Sequence, residues 1–376
     1  VIEPPSPNPA SRNAAAEPRA IASGAQPRHT LVSCLFDLEK REQTGRRPID
    51  FYFAHGDLIL GLQQPLVVYA DPELVPWIRE SRLDRGLGKL TRVVELPMEA
   101  LALFPLAQTI AGYPTYANDN PLKGTPLHQI VQWSKFDLLE RSMQDDPFDT
   151  RHFAWIDFGV GHVAEPPVVF PHTTSRVAFL EMCSTAPREV ANKLEFLGLE
   201  RGRIAGGFFR GPREPLRSLV AAFREELEET LAARFRPNEQ MLLAWLAMKR
   251  PDLFEFYVGD YASVLTNWDH VRRDVETVFI NITHCRANAL WSRAYELCET
   301  LRASVSAGAL ELTAGQEARL LDERFIAAWY TGRHDVAASV RRDFLERLAG
   351  SSYFAENRRR ILGNFALLAP GDSRAP

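Results

Sequence analysis

The sequence is poor in cysteine. Four thiols, Cys34, Cys183, Cys285 and Cys298, are scattered over 376 residues with no C-x-x-C pair. That argues against a disulfide framework or a structural zinc site, and a reducing cytoplasm is the expected setting. Long apolar runs are missing too. The longest, Met241 to Met248, breaks at Lys249, well short of the ~20 residues that span a bilayer, so no transmembrane segment is expected. Positive charge is not in excess: 44 basic and 48 acidic residues leave a net charge of −4. No general basic field results, and nucleic acid is not an expected partner. Residues 1–29 are rich in proline, alanine and arginine and lack the apolar core of a secretory signal; they read as a disordered leader.

What is present is ordinary globular composition, 45% hydrophobic and 24% charged. Short apolar runs at Leu31–Phe36, Pro65–Ala70, Thr91–Leu96, Phe153–Asp157 and Arg176–Leu180 read as strands. The continuous apolar character of Phe153–Asp157 suits a strand covered on both faces. Gly206 to Phe209 reads as a glycine-kinked strand or a loop. Helical patterns intervene: one containing Leu74, Trp77 and Ile78 with Asp71 as its cap, one from Leu127 to Met143, one marked by Leu216, Leu219, Val220, Phe223 and Leu227, and one from Glu239 to Lys249 capped by Asn238 and closed before Pro251. Strands alternating with helices predict an α/β fold with a mostly parallel, Rossmann-like central sheet. Beyond about Val278 every apolar stripe is helical, with a capping box at Thr313–Gln316. The expected organisation is a leader over 1–29, an α/β domain over 30–278 and a helical region over 279–376. The last weakly resembles tetratricopeptide hairpins and reads otherwise as a helical cap.

Several familiar motifs fail. Gly159-Val160-Gly161-His162-Val163-Ala164 fits the dinucleotide fingerprint, but Glu165-Pro166-Pro167 blocks the helix that must follow. Gly86-Leu87-Gly88-Lys89 lacks P-loop spacing, and no nucleophile elbow or zinc-protease motif occurs. What remains is Asp157 at the end of the run Trp155-Ile156-Asp157-Phe158-Gly159. A carboxylate at the carboxyl edge of such a sheet is placed to hold Mg²⁺ or Mn²⁺, and Gly159 leaves room for a ligand. Equally, Asp157 could cap the turn before Gly159.

Ser134-Lys135-Phe136, Trp155 to Gly159, Ile204-Ala205-Gly206-Gly207-Phe208-Phe209, Asn238-Glu239-Gln240 and Gly259-Asp260-Tyr261 together resemble the HtrL/YibB family of bacterial proteins, regarded as GT-A-type glycosyltransferases. The resemblance runs from about Thr30 to Asn267. It implies a nucleotide-diphosphate sugar as donor, a hydroxyl acceptor on a glycan precursor or natural product, and a divalent cation, Mn²⁺ or Mg²⁺. It also implies an order of elements, matched by Asp157, Gly206-Gly207, Glu239 and His284. In that scheme Asp157 and His284 hold the cation, Gly206 and Gly207 let backbone approach the substrates, and Glu239 accepts the acceptor's proton. Lys135 contacts phosphate, Ser33, Asp37 and Asp71 serve the donor near the first strands, and Asp260 serves the acceptor. Each has a structural competitor: Glu239 as a helix-dipole partner, His284 as a core histidine, Lys135 as a solvated helix residue, Asp260 as a turn cap.

One departure stands out. GT-A motifs carry a second acidic residue where this chain has Gly159. The rival reading is therefore a degenerate fold that binds a nucleotide sugar or a protein partner without turnover. A metal-dependent hydrolase using Asp157, His162 and His172 is weaker still, given the proline-rich spacing. A homodimer through the C-terminal helices is a further expectation.

Overall fold

The computed structural model describes residues 29–42, 48–116, 124–164, 174–183, 192–198, 203–259, 261–266, 275–287, 289–308 and 310–366. The expected leader lies outside them except for its last residue, His29. In chain order the elements are β1 (Thr30–Leu35), α1 (Leu38–Glu42), α2 (Ile49–Leu60), β2 (Leu66–Ala70), α3 (Val75–Asp84), β3 (Thr91–Glu95), α4 (Ala107–Ile110), α5 (Pro126–Asp145) and β4 (His152–Ile156). There follow β5 (Val177–Glu181), α6 (Lys193–Leu197), β6 (Ile204–Pro212), α7 (Arg213–Ala232), α8 (Glu239–Lys249) and β7 (Phe254–Val258). The helical region contains α9 (Val275–Ala287), α10 (Trp291–Ser306), α11 (Ala314–Tyr330), α12 (His334–Arg347) and α13 (Ser352–Phe365).

The strands form one seven-stranded sheet in the order β3-β2-β1-β4-β6-β5-β7. The pairs β1–β2, β2–β3, β1–β4 and β5–β7 are parallel, and β6 runs antiparallel to both its neighbours. The fold is therefore α/β with a mostly parallel, mixed sheet, as the alternation of patterns predicts. Side chains alternate across a strand, and both faces are covered. Val32, Trp155, Phe179 and Phe209 pack with Phe136 of α5, Phe223 of α7 and Leu242 of α8. Leu31, Val68, Ile156 and Phe208 point the other way, onto Ile59 and Leu60 of α2 and Ile78 of α3. Phe136 stacks on Phe223 with centroids 3.7 Å apart, which locks α5 against α7.

The Gly206–Phe209 segment is a strand rather than a loop: it lies inside β6, pairs with β4 through Phe208 and Phe209, and its register against β5 shifts between Phe209 and Ile204, an irregularity that spans Gly206 and Gly207. Two elements differ from the pattern reading. Helix α2 and strand β7 escape it. The α2 sequence carries aromatic residues on several sides and a glycine that α3- and β4-side packing requires: a Cβ at Gly56 would lie 2.2 Å from the Phe158 ring. Strand β7 is five residues long and gains its place from β5.

Helix α9 begins at Val275, so the boundary at 278 falls inside it. Helix α11 is central to the helical region, packing on α9, α10, α12 and α13, and the Thr313–Gln316 capping box is formed. Val258 of β7 shares a core with Val278 and Ile282, and Arg293 pairs with Glu181 of β5. These contacts seat the helices on the sheet's last strands. No helix among the described residues is long and apolar enough to cross a membrane.

The carboxyl ends of β1, β2 and β3 are tied together by one carboxylate. Asp71 makes no helix cap. It is fully buried and accepts the N–H of Asp37 at 2.9 Å and of Met98 at 3.1 Å. The Arg41 guanidinium grips it bidentately at 2.7 and 2.8 Å and continues to Glu99, whose carboxyl it holds down at about 2. Asp71→Ala leaves a cation and two amides without their partner, so a loss of ~3 kcal/mol is expected, readable as a lower urea midpoint with unchanged slope.

Candidate active site

Strand order reverses between the parallel neighbours β1 and β4: β2 and β3 are added on one side of β1, and the later strands lie on the other. Open α/β sheets bind ligands in the crevice at such a switch point, outside the carboxyl ends of the strands. A cavity of about 340 Å³ opens there. Cys34, Phe36 and Tyr52 line its β1 side, Lys135, Trp155, Asp157 and Gly207 its middle, and Asn238, Glu239, Gln240 and Tyr261 its far side.

Strand periodicity sets the floor. Phe153, Trp155 and Asp157 fall on the face covered by α5, α7 and α8, while Ala154, Ile156 and Phe158 fall on the other. Trp155 and Asp157 are thus neighbours on one face, and the indole Nε1–H donates to Asp157 Oδ1 at 2.7 Å. The Asp157 N–H donates to the Gly207 carbonyl at 2.8 Å, extending the β4–β6 register and fixing the backbone of both residues.

Lys135 enters from α5 and is 1% exposed. Its ammonium donates to Glu239 Oε1 at 2.8 Å, to the Gly206 carbonyl at 3.2 Å and to Asp157 Oδ1 at 3.4 Å. Three donors meet three acceptors. Burial opposes the lysine's charge, but Asp157 and Glu239 outweigh it and hold its pKa above the usual lysine value. Burial also pushes the Glu239 carboxyl above the ordinary carboxylate range, against the pull of Lys135. Burial, reinforced by Asp157, raises the Cys34 thiol far enough that it is a neutral wall residue. Asp157 is the more open carboxylate, its side chain 35% exposed; its Oδ2 makes no hydrogen bond among the described residues.

The cluster therefore brings together Lys135, Asp157, Gly206, Gly207 and Glu239. Its glycines act differently from the expectation. A Cβ at Gly206 would lie 1.9 Å from Glu239 Oε1, so the residue makes room for a carboxylate rather than for substrate. Gly207 lies beside Asp157 Oδ2 and does line the cavity. Gly159 gives less room than expected, because a Cβ there would be 3.2 Å from the Tyr52 ring. Tyr52 of α2 fills the space where a second acidic side chain would project.

Other expectations are corrected. Lys135 is not a phosphate contact from a solvated face, since its ammonium is spent on the cluster. Ser33 is buried and shares the parity of Leu31 and Leu35, on the α2–α3 side; its neighbour Cys34 faces the cavity. Asp71 is consumed by Arg41 and two amides. Asp37 accepts the Lys40 N–H at 3.0 Å and caps α1, while Phe36 and Leu38 line the cavity on either side of it. Asp260 lies outside the described residues. His284 sits on α9 with its side chain outside them. Among the described residues no three His, Cys, Asp or Glu side chains gather to hold a metal.

Trp155, Gln240 and Tyr261 stand inside the motifs that carry the family resemblance but were given no role there, and Tyr52 stands in none of them. Period two along β4 could have found Trp155, and adjacency to Glu239 could have found Gln240; no local pattern finds Tyr52, which depends on helix packing. Gly206→Ala should push Glu239 off Lys135 and lower stability by ~1–3 kcal/mol, whereas Gly112→Ala, which opens onto empty space, should be silent. Parallel thermal unfolding of the two variants checks this, and equal melting would refute the close approach.

Comparison with known proteins places this geometry among relatives. Protein HtrL of Escherichia coli (strain K12) is 21% identical over 257 residues, covering 61% of this chain and 88% of its own. The crystal structure of mouse xyloside xylosyltransferase 1 in its apo form superposes with a TM-score of 0.34 and 12% identity, over 61% of this chain and 84% of that one. The family model described as a bacterial protein of unknown function, HtrL_YibB, matches residues 28–269, which takes in the whole sheet and every described residue of the cluster. The chain belongs to the HtrL_YibB family.

Proposed function

We propose that this protein is a glycosyltransferase that moves a sugar from a nucleotide-diphosphate donor to a hydroxyl acceptor. The observation that carries the reading is the Asp157–Lys135–Glu239 cluster on the floor of a cavity at the β1/β4 switch point. The cavity is of ligand size, and the first turn of α5 lines it through His128 and Gln129, so a positive helix end faces an anionic donor.

The two carboxylates differ in environment and hence in task. Glu239, buried and raised, is the proton acceptor. The acceptor hydroxyl attacks the anomeric carbon, its proton passes to Glu239, and the sugar–diphosphate bond breaks with the electron pair leaving on the nucleoside diphosphate. Lys135 keeps the Glu239 carboxylate in one orientation and offsets its charge. Asp157, fixed by Trp155 and Lys135 through Oδ1, presents Oδ2 to the cavity. A single open carboxylate oxygen is what a hydrated Mg²⁺ or Mn²⁺ needs when substrate phosphates supply the other ligands. Asp157, with His284 as the proposed second ligand, would hold it. Such a cation neutralises charge on the departing diphosphate. Four scattered cysteines with no C-x-x-C pair suit a cytoplasmic enzyme.

A second reading keeps the binding and drops the turnover. It is favoured by the Tyr52–Gly159 contact, which closes the position of a second acidic ligand. A thermal-shift screen of nucleoside diphosphates with and without Mn²⁺ tests the shared part, since ligands of the folded state raise its melting temperature. No shift with any of them would sink both readings; Mn²⁺-dependent turnover of a nucleotide sugar would sink the second.

Asp157→Asn, which keeps an oxygen for the Lys135 ammonium and the Trp155 indole, should lower transfer by ~10²–10³-fold with the fold intact; full activity would remove the Asp157 charge from the mechanism. The raised Glu239 pKa sets the acid limb of the rate profile. Protonated Glu239 takes no proton, so kcat should rise with pH through a midpoint above the ordinary glutamate value of about 4.3. Glu239→Gln should abolish that limb and lower kcat by ~10²–10⁴-fold.

A further inference from the structure

The cavity continues past Asp157 to an end beneath the first turn of α8, lined by Asn238, Gln240, Tyr261 and Val264. Tyr261 follows β7 in a short helical turn and is 37% exposed, an aromatic ring showing in a cavity wall. It is held in place. Its hydroxyl donates to Gln240 Oε1 at 2.9 Å. The turn beneath it is anchored by buried Tyr257, whose hydroxyl donates to the Val264 carbonyl at 2.8 Å. The Gln240 stem in turn lies against Gly206, where a Cβ would be 3.1 Å from Gln240 Cγ. Gly206 is the residue whose carbonyl accepts from Lys135 and whose missing Cβ admits Glu239. The ring is thus joined to Gly206 through one hydrogen bond and one van der Waals contact, and Gly206 in turn abuts the proposed base.

We infer that Tyr261, held by Gln240, is the stacking platform for a neutral saccharide acceptor. The inference rests on the transferase reading and adds to it the chemical class of the acceptor. A pyranose ring has a C–H face and a rim of hydroxyls. The face packs on an aromatic ring whose polar tip is already satisfied, and the rim meets the Asn238 amide nitrogen as donor and the Gln129 carbonyl as acceptor, the other ends of these amides being taken by the Gln240 N–H and the Thr115 hydroxyl. Among the described lining residues the lone lysine or arginine is Lys135, buried and committed to the cluster. A phosphorylated or acidic acceptor would need a basic side chain beside Tyr261, whereas the histidines of the wall, His128 and His162, come from α5 and from the turn after β4; a lipid tail would need a wall without these amides.

The test uses the full chain on an array of immobilised neutral and acidic oligosaccharides, beside a thermal-shift measurement with uridine and guanosine diphosphates. The wild type should retain at least one neutral glycan. Tyr261→Ala should weaken that capture by about tenfold. Tyr261→Phe, which keeps the ring and loses its bond to Gln240, should weaken it by about threefold. Tyr261 lies on the surface, so both variants should fold. Unchanged capture by Tyr261→Ala, equal loss in the two variants, capture of acidic glycans alone, or no glycan captured while a nucleoside diphosphate still raises the melting temperature would each overturn the acceptor inference and leave the transferase reading standing. If no nucleoside diphosphate shifts the wild type either, the transferase reading itself fails.

Discussion

A buried ammonium organises this site. Lys135 has lost its water, and its charge is sustainable only because Glu239, the Gly206 carbonyl and Asp157 replace that water with three acceptors. A buried ion pair of this kind is weak evidence for stability, since desolvation offsets much of the attraction. Its effect is on geometry. The acceptors come from three separate elements, β4, β6 and α8, and the donor from a fourth, α5. The ammonium is satisfied in one arrangement of all four, so the Glu239 and Asp157 carboxylates keep fixed positions relative to each other.

That arrangement depends in turn on close approaches that side chains would prevent. Gly206 is bare so that Glu239 can reach Lys135, and Gly56, Gly159 and Gly161 are bare so that α2 can lie against the turn after Asp157. A Cβ at Gly161 would be 2.4 Å from the His55 carbonyl. The glycines around Asp157 therefore serve helix packing, and they cost the chain the second acidic residue of the motif it resembles. Tyr52 stands in that space. The Asp71–Arg41 clamp does the corresponding work at the carboxyl ends of β1 to β3, holding the loops that form the other half of the cavity.

Much of this was legible from local pattern. The apolar runs identified five of the seven strands, the glycine segment left a sixth open between strand and loop, and caps and stripes identified α5, α7, α8 and the last helices. Such features are set by nearest neighbours in the chain: a strand's period of two, a helix's 3.6, a cap's reach of three residues. Asp157, Lys135, Gly206, Gly207 and Glu239 were singled out on the family motifs, and the fold brings all five together. Their parts were less legible. Lys135 and Asp71 look like solvent- or ligand-facing residues until their partners, 104 and 30 positions away, are in place.

The sequence by itself determined that the chain builds a covered α/β sheet followed by helices, and that a carboxylate ends the central strand. Composition and periodicity suffice for that, because burial of apolar faces is a local, additive demand. The tertiary structure alone decided what the carboxylate could do. Which oxygen of Asp157 is occupied, whether Glu239 is buried, whether Gly159 faces substrate or Tyr52, and which tyrosine shows in the cavity are settled by contacts between elements distant in the chain. Electrostatics at those contacts depends on a water shell that folding removes, and no window of sequence carries that information.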